Sequence, residues 1–266
     1  MNVIEREMVN VLVRLRETAG VVAVKAEFEA EGTRTDELLR LKEIATIAGV
    51  GLALKVGGCE AIRDLFEARQ FGSSFVIAPM IETAYALKKF EGAIRTVFSD
   101  GDYGETKFLF NIETFTGRSN LPEMVELLSK GDGSISGIVF GRVDFTGSLG
   151  WDRDAVNSPK VMDRVREASN LTSDAGLEFV VGGGVSADSI DVLREVRTIR
   201  LSRFETRKVV FDGASIEMPA ISAGLMDAVR FELLWLKNKR HYYAQIVNED
   251  ERRIHMLQER WDIRGV

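Results

Sequence analysis

The sequence predicts an α/β fold: a TIM (β/α)8 barrel over residues 1–219 with a C-terminal helical extension over residues 220–266. Three observations carry this expectation. Short apolar, β-branched runs alternate with amphipathic helical segments, the pattern of a parallel sheet wrapped by helices. About eight such units fit in roughly 200 residues, which argues for closure into a barrel. From Ala220 onward the alternation stops, and a long helical period with a heavy aromatic load takes over.

Each element follows from local signals. Residues 2–18 space Val3, Met8, Val9, Leu12 and Leu15 along one helical face, and Gly20 stops the helix. VVAVKAEF (21–28) reads as the first strand. After the polar loop EAEGTRT, Thr35 and Asp36 open a helix that ends at Gly49. VGLALKV (50–56) is the second strand, followed by the Gly57–Gly58 turn and the helix CEAIRDLFEARQFG. SFVIAPM (74–80) is the third, leading into IETAYALKKFEGAIRTVF. FLFNIET (108–114) is the fourth, and its helix NLPEMVELLSK carries Pro122 in the first turn.

Gly137–Asp144 forms the fifth strand and SPKVMDRVREASNLTSDAG the helix after it; LEFVVGGG (177–184) and SADSIDVLREV give the sixth unit. TIRLSRF (198–204) and Val209–Asp212 are the seventh and eighth strands, joined by a very short link that is irregular for this architecture. The extension carries Trp235, Tyr242, Tyr243 and Trp261 in helical period with an interruption near Asn248, and it must bury its stripe on its own barrel or a neighbour's.

Composition narrows the function classes. Hydrophobic residues make up 45% and charged residues 29%, ordinary for a globular enzyme-sized domain. A net charge of −6 argues against a broad nucleic-acid footprint. One cysteine, Cys59, rules out an intrachain disulfide and suits a reducing compartment. The first residues are acidic where a signal peptide is basic, and no apolar run approaches the ~20 residues that span a bilayer. The expectation is a cytoplasmic protein without membrane or nucleic-acid partners.

In such a barrel, functional groups gather at the C-terminal ends of strands. That filter selects Lys25, Glu27, Glu29, Glu31, Lys55, Glu82, Asn111, Glu113, Arg142, Asp144, the Gly182–Gly184 run and Arg203. Glu113 and Asp144 stand out because each ends an apolar run, where an ionised group needs a cation or a donor. Two carboxylates on neighbouring strands point to a site for a small, hard cation, although capping or ion pairing would also satisfy them. A cation held this way keeps open positions that a 2-oxo acid can chelate. Gly182–Gly184 before a helix start suits either an anion or tight strand-to-helix packing. Cys59 opens a helix, as a reactive thiol or a small apolar filler.

The run VFGRVDFTGSLG resembles the strand–loop motif of the HpcH/HpaI aldolase and citrate lyase β-subunit family, within the phosphoenolpyruvate/pyruvate barrels. FNIET resembles the family's upstream metal-ligand strand, and VIAPMIETAYALKKF its Pro-Met-(Ile/Val)-(Glu/Asp)-Thr strand and helix. The likeness covers roughly residues 50–185 well, the region before them loosely, and the extension hardly at all. It implies that Glu113 and Asp144 hold a divalent cation, Mg²⁺ or Mn²⁺. It further implies that amides around Gly141, Arg142 and Val143 bind a substrate carboxylate, and that Asn111 stands where glutamine is usual. Lys55 stands in place of an arginine beside the enolate oxygen, which supplies charge without a bidentate fork. Arg142 replaces a proline and would bring a cation near the mouth.

The family's acid–base histidine has no counterpart, since His241 and His255 both lie in the extension. Either a glutamate of this loop (Glu27, Glu29 or Glu31) takes the proton-transfer role, or the reaction differs and the acidic cluster is a solvated loop; Glu29 and Glu31 stand beside Lys55 as the catalytic candidates. The resemblance therefore implies a metal-dependent carbon–carbon lyase of the 2-oxo acid aldolase type. Rival readings are a citrate-lyase-β-like acyl-thioester lyase, a Schiff-base aldolase using Lys25 or Lys55, and a non-catalytic barrel that binds a 2-oxo acid or phosphorylated ligand. Because such barrels often pack C-terminal helices on a neighbour, a homo-oligomer is expected, with a histidine of an exchanged extension able to reach a neighbouring site.

Overall fold

The computed structural model describes residues 1–98, 105–131 and 133–262. Strands β1 (Val21–Glu27), β2 (Gly51–Lys55), β3 (Phe75–Ala78), β4 (Lys107–Ile112), β5 (Ile135–Gly141), β6 (Glu178–Gly182), β7 (Arg203–Glu205) and β8 (Val209–Asp212) close into one barrel in chain order. Around it lie α1 (Val3–Ala19), α2 (Thr35–Ala48), α3 (Ile62–Gln70), α4 (Ala84–Val97), α5 (Phe115–Ser129), α6 (Arg142–Ser148), α7 (Pro159–Asp174), α8 (Ile190–Arg197) and α9 (Ile221–Asp262). None of the described helices is long and apolar enough to cross a membrane.

The barrel interior is layered because alternate residues of each strand face the axis. At the N-terminal end, Glu178 takes ion pairs from Lys107 at 2.5 Å and Arg203 at 2.6 Å, and the Arg203 guanidinium lies 4.3 Å from the Phe75 ring centre. Arg203 therefore plugs the end opposite the one where the sequence placed it. The middle layer is small and apolar: Ala23, Ala53, Ile77, Leu109, Val139, Val180 and Val210. One step further on, the same strands present Lys25, Lys55, Asn111, Gly141, Gly182 and Glu205, so the polar mouth grows directly out of the core.

Three expectations need correction. β8 runs antiparallel to both β7 and β1, because the link Thr206–Lys208 is a hairpin turn with no room for a crossover helix. α5 begins at Phe115, capped by the Thr114 hydroxyl accepting from the Gly117 N–H at 3.0 Å, so Pro122 sits inside the helix rather than in its first turn. α9 continues through Asn248 without a break. Its first half packs antiparallel on α1, where Gly224 permits the approach: a Cβ there would lie 2.5 Å from the Ala19 Cβ. At the other end of the pair, Asn2 donates to the Asn238 side chain at 2.7 Å.

Candidate active site

A cavity of about 590 Å³ opens at the C-terminal mouth of the barrel. Six carboxylates line it (Glu27, Glu29, Glu113, Asp144, Glu205 and Glu232) against four cations (Lys25, Lys55, Arg153 and Arg207). The formal excess of two negative charges is what one divalent cation would balance.

Glu113 is the best-held group. It follows the end of β4, is 2 % exposed, and accepts from the Met80 N–H at 3.0 Å and the Asn111 amide at 2.6 Å. Met80 reaches it from a left-handed backbone, φ 46°, which is strained for a residue other than glycine. Gly141 on β5 must lack a side chain here, since a Cβ would stand 2.9 Å from the Glu113 Cβ and 3.0 Å from its Oε2. The side-chain oxygen of Asn111, Oδ1, is buried and makes no hydrogen bond.

Two lysines rise from the barrel floor. Lys55 Nζ lies 3.3 Å from Glu113 Oε2 and 3.0 Å from Glu29 Oε2. Burial alone would lower its pKa, but Glu113 and then Glu29 outweigh that and hold it above the ordinary lysine value. Lys25 Nζ is 2.5 Å from Glu205 and 3.2 Å from Glu27, which likewise raise its pKa against burial. The Glu27 carboxyl is lowered in turn: burial opposes this, while Lys25 and Lys55 prevail.

The remaining sequence candidates divide. Asp144 lines the same cavity, exposed, and makes no hydrogen bond or ion pair among the described residues; it lies in the first turn of α6 rather than at a strand end. Gly141 and Val143 line the cavity too, and the Gly183 backbone comes so close that a Cβ there would lie 2.6 Å from the Val143 amide nitrogen. Arg142 does not stand at the mouth. It is fully buried, with its guanidinium donating to Gly182 O at 3.3 Å, Asn157 Oδ1 at 2.7 Å and Ser189 Oγ at 3.3 Å, and burial lowers its pKa to about 10.

Glu31 is drawn away from the cavity into ion pairs with Arg207, at 3.1 Å, and with buried Lys208. Glu82 accepts from the Thr114 hydroxyl at 2.5 Å and serves the start of α5. Cys59 packs half-buried against the core. His241 and His255 are exposed on α9, away from the cavity. Sequence reasoning missed Glu205 and Arg207; the charged run ETRK after a very short strand was the available signal.

The comparisons bear on the family and the fold. A family model described as HpcH/HpaI aldolase/citrate lyase matches residues 43–207. Among solved structures, an HpcH/HpaI aldolase from Desulfitobacterium hafniense DCB-2 is 14% identical with a TM-score of 0.60, over 74% of this chain and 82% of that one. The citrate synthase SbnG is 14% identical with a TM-score of 0.58, over 92% and 89%. An HpcH/HpaI aldolase/citrate lyase family protein from Burkholderia cenocepacia J2315 is 11% identical with a TM-score of 0.56, over 90% and 99%. At these identities the structural likeness speaks to the fold alone. No curated protein matches the sequence. The family model spans more than half of the chain and contains Lys55, Asn111, Glu113 and Asp144: the chain belongs to the HpcH/HpaI aldolase/citrate lyase family.

Proposed function

We propose that this barrel is a divalent-cation-assisted carbon–carbon lyase that takes a 2-oxo acid such as pyruvate. The observation that carries the reading is the surplus of carboxylate in the mouth, with Glu113 and Asp144 both lining it. Hard oxygen donors suit Mg²⁺ or Mn²⁺, and the unpaired Asn111 Oδ1 is a further acceptor beside Glu113. When bound, the cation supplies Lewis-acid stabilisation of negative charge on the substrate's keto oxygen.

The chain's own residues have separate tasks. Lys55, fixed as an ammonium by Glu113 and Glu29, offers positive charge to the keto oxygen as the carbon–carbon bond breaks. The amides at the start of α6, beside Gly141 and Val143, receive the substrate carboxylate. Glu29 lies in the cavity beside Lys55 and is placed to accept or return the proton at the substrate's C3. Lys25 is a poor Schiff-base nucleophile, because two carboxylates hold it protonated.

The test is calorimetric titration with Mn²⁺ combined with deuterium exchange into the methyl group of pyruvate. Glu113→Gln and Asp144→Asn should each abolish cation binding while near-ultraviolet circular dichroism stays unchanged. Exchange should require the cation and Glu29. Wild-type cation affinity in both variants would overturn the proposal.

A further inference from the structure

We propose that α9 pairs with α9 of a second copy of this chain as an antiparallel coiled coil whose twofold axis passes level with Gln245. The helix has 42 residues, about 63 Å of rise. Its own barrel uses one face of the first half, burying Ile221, Gly224, Leu225, Ala228, Phe231, Leu234, Trp235 and Asn238. The last tie to the barrel is Tyr243, whose hydroxyl donates to Glu37 at 2.7 Å. Every residue from 244 to 262 is exposed. That stretch leaves Ile246, Val247, Ile254, Met256, Leu257 and Trp261 exposed, an apolar load that a partner surface would cover.

The uncovered face states what does. From Met226 to Trp261, residues recur at alternating steps of three and four: Met226, Val229, Leu233, Leu236, Arg240, Tyr243, Val247, Asp250, Ile254, Leu257, Trp261. This is the seam of a left-handed coiled coil, and apart from half-buried Tyr243 all of it is exposed. It runs on a different side of the helix from the residues buried against α1 and the barrel, and only Val229 of the seam borders the barrel cavity.

Two polar residues interrupt the seam, and they are opposite in charge: Arg240 and Asp250. In a parallel pair each would face its own copy, cation on cation and anion on anion. In an antiparallel pair centred level with residue 245, Arg240 faces Asp250 on both sides of the axis. The same centre places Tyr243 against Val247, Leu236 against Ile254, Leu233 against Leu257 and Val229 against Trp261, so every apolar member from Val229 to Trp261 meets another. Beside the seam, Lys237 comes next to Glu251 and Glu232 next to Arg260. One register thus pairs the seam's charges and its apolar residues, which makes the seam self-complementary under a twofold axis; beside it Lys239, already paired with Glu37 at 3.0 Å, comes next to Arg253.

The pairing also reaches the cavity. Val229 and Glu232 line its mouth, and Trp261 of the second copy arrives level with Val229. Each copy therefore brings an aromatic side chain to the edge of the other's candidate active site. None of this depends on the reaction proposed above.

The experiment uses the full-length chain and light scattering after size-exclusion chromatography. Wild type should be a dimer at micromolar concentration. Arg240→Glu and Asp250→Arg should each weaken the dimer by about a hundredfold, since like charges then face each other twice. The double variant should return to the wild-type dissociation constant. Both positions are exposed, so the barrel should keep its near-ultraviolet circular dichroism throughout. In a Cys59→Ala background, Ala244→Cys should cross-link to itself, whereas Leu257→Cys should cross-link only when mixed with Leu233→Cys. A monomeric wild type, a double variant as weak as the singles, or self-cross-linking at 257 would each overturn the proposal.

Discussion

Replacing Lys55 with methionine is the most informative single perturbation of the mouth. Lys55 is 5 % exposed and Glu113 is 2 % exposed, so the change strands a carboxylate with little access to water. Two donors remain, the Met80 N–H and the Asn111 amide, while the nearest cation is lost. Removing one member of a buried pair costs about 3–5 kcal/mol. Glu29, the other partner, has a side chain 27% exposed and can rehydrate, so the penalty falls on Glu113. For a chain of 266 residues the cost corresponds to a fall in Tm of about 5–9 °C. Differential scanning calorimetry should show that fall for Lys55→Met. Lys55→Met with Glu113→Gln should recover most of it, because the stranded charge is gone. Millimolar Mn²⁺ should stabilise the single variant more than wild type, by taking the place Lys55 vacated. A single variant melting within about 2 °C of wild type, or a double variant no better than the single, would refute the reasoning.

Three further outcomes follow from specific contacts. Lys55→Ala should lower kcat far more than it raises the KM for a 2-oxo acid, because the ammonium meets charge that develops in the transition state; a change in KM alone would make Lys55 a binding or structural residue. Burial would raise the Glu5 pKa, but Arg40 at 2.5 Å, the Asn2 N–H and Asn238 lower it to about 2, so its folded pKa lies below the unfolded one. The stability it contributes is complete above about pH 4.5 and disappears as pH falls towards about 2; Arg40 is 38% exposed, so Glu5→Gln should cost about 1–2 kcal/mol at pH 7 and nothing near pH 2 by urea titration. Arg142→Lys should cost about 2–3 kcal/mol in the same assay, because an ammonium on a flexible stem cannot fork to Gly182 O, Asn157 and Ser189 together.

Much of this could be read from the chain because a barrel imposes strong local signals. Continuous apolar runs such as FLFNI and ISGIVFG face hydrophobic surroundings on both sides, so β4 and β5 were legible within a few residues. Glu113 was legible for the same reason: an ionisable side chain directly after such a run has to be held by something. The direction of β8 was not legible as such. A short link is visible in sequence, but whether VVFD continues the sheet forwards or backwards depends on the hydrogen bonds it finds on β1. The partners of Glu31 and Arg142 were equally out of reach. Arg142 looked like a mouth residue because its neighbours are, yet the first turn of α6 rotates its side chain to the opposite side from Asp144. Glu31 is a few residues from Glu29 in sequence, and only the fold brings Lys208 beside it.

The reversal of β8 has a consequence for how the barrel comes together. β7 and β8 form a hairpin of local contacts, which in isolation forms on the order of 1–10 μs. Each parallel pair instead waits for an intervening segment to fold back. The one pairing that joins distant parts of the chain is β1 with β8, Val21 opposite Phe211. That seam is backed on the outside by α1 against α9, with Gly224 seated on Ala19 and Asn2 tied to Asn238. Ring closure and the docking of these two helices are therefore one late, cooperative event with a large loop-closure cost. Slow steps in refolding should trace to this seam. Hydrogen exchange should show β1, β8, α1 and the first half of α9 gaining protection together, after the β4–β5 side of the barrel has formed.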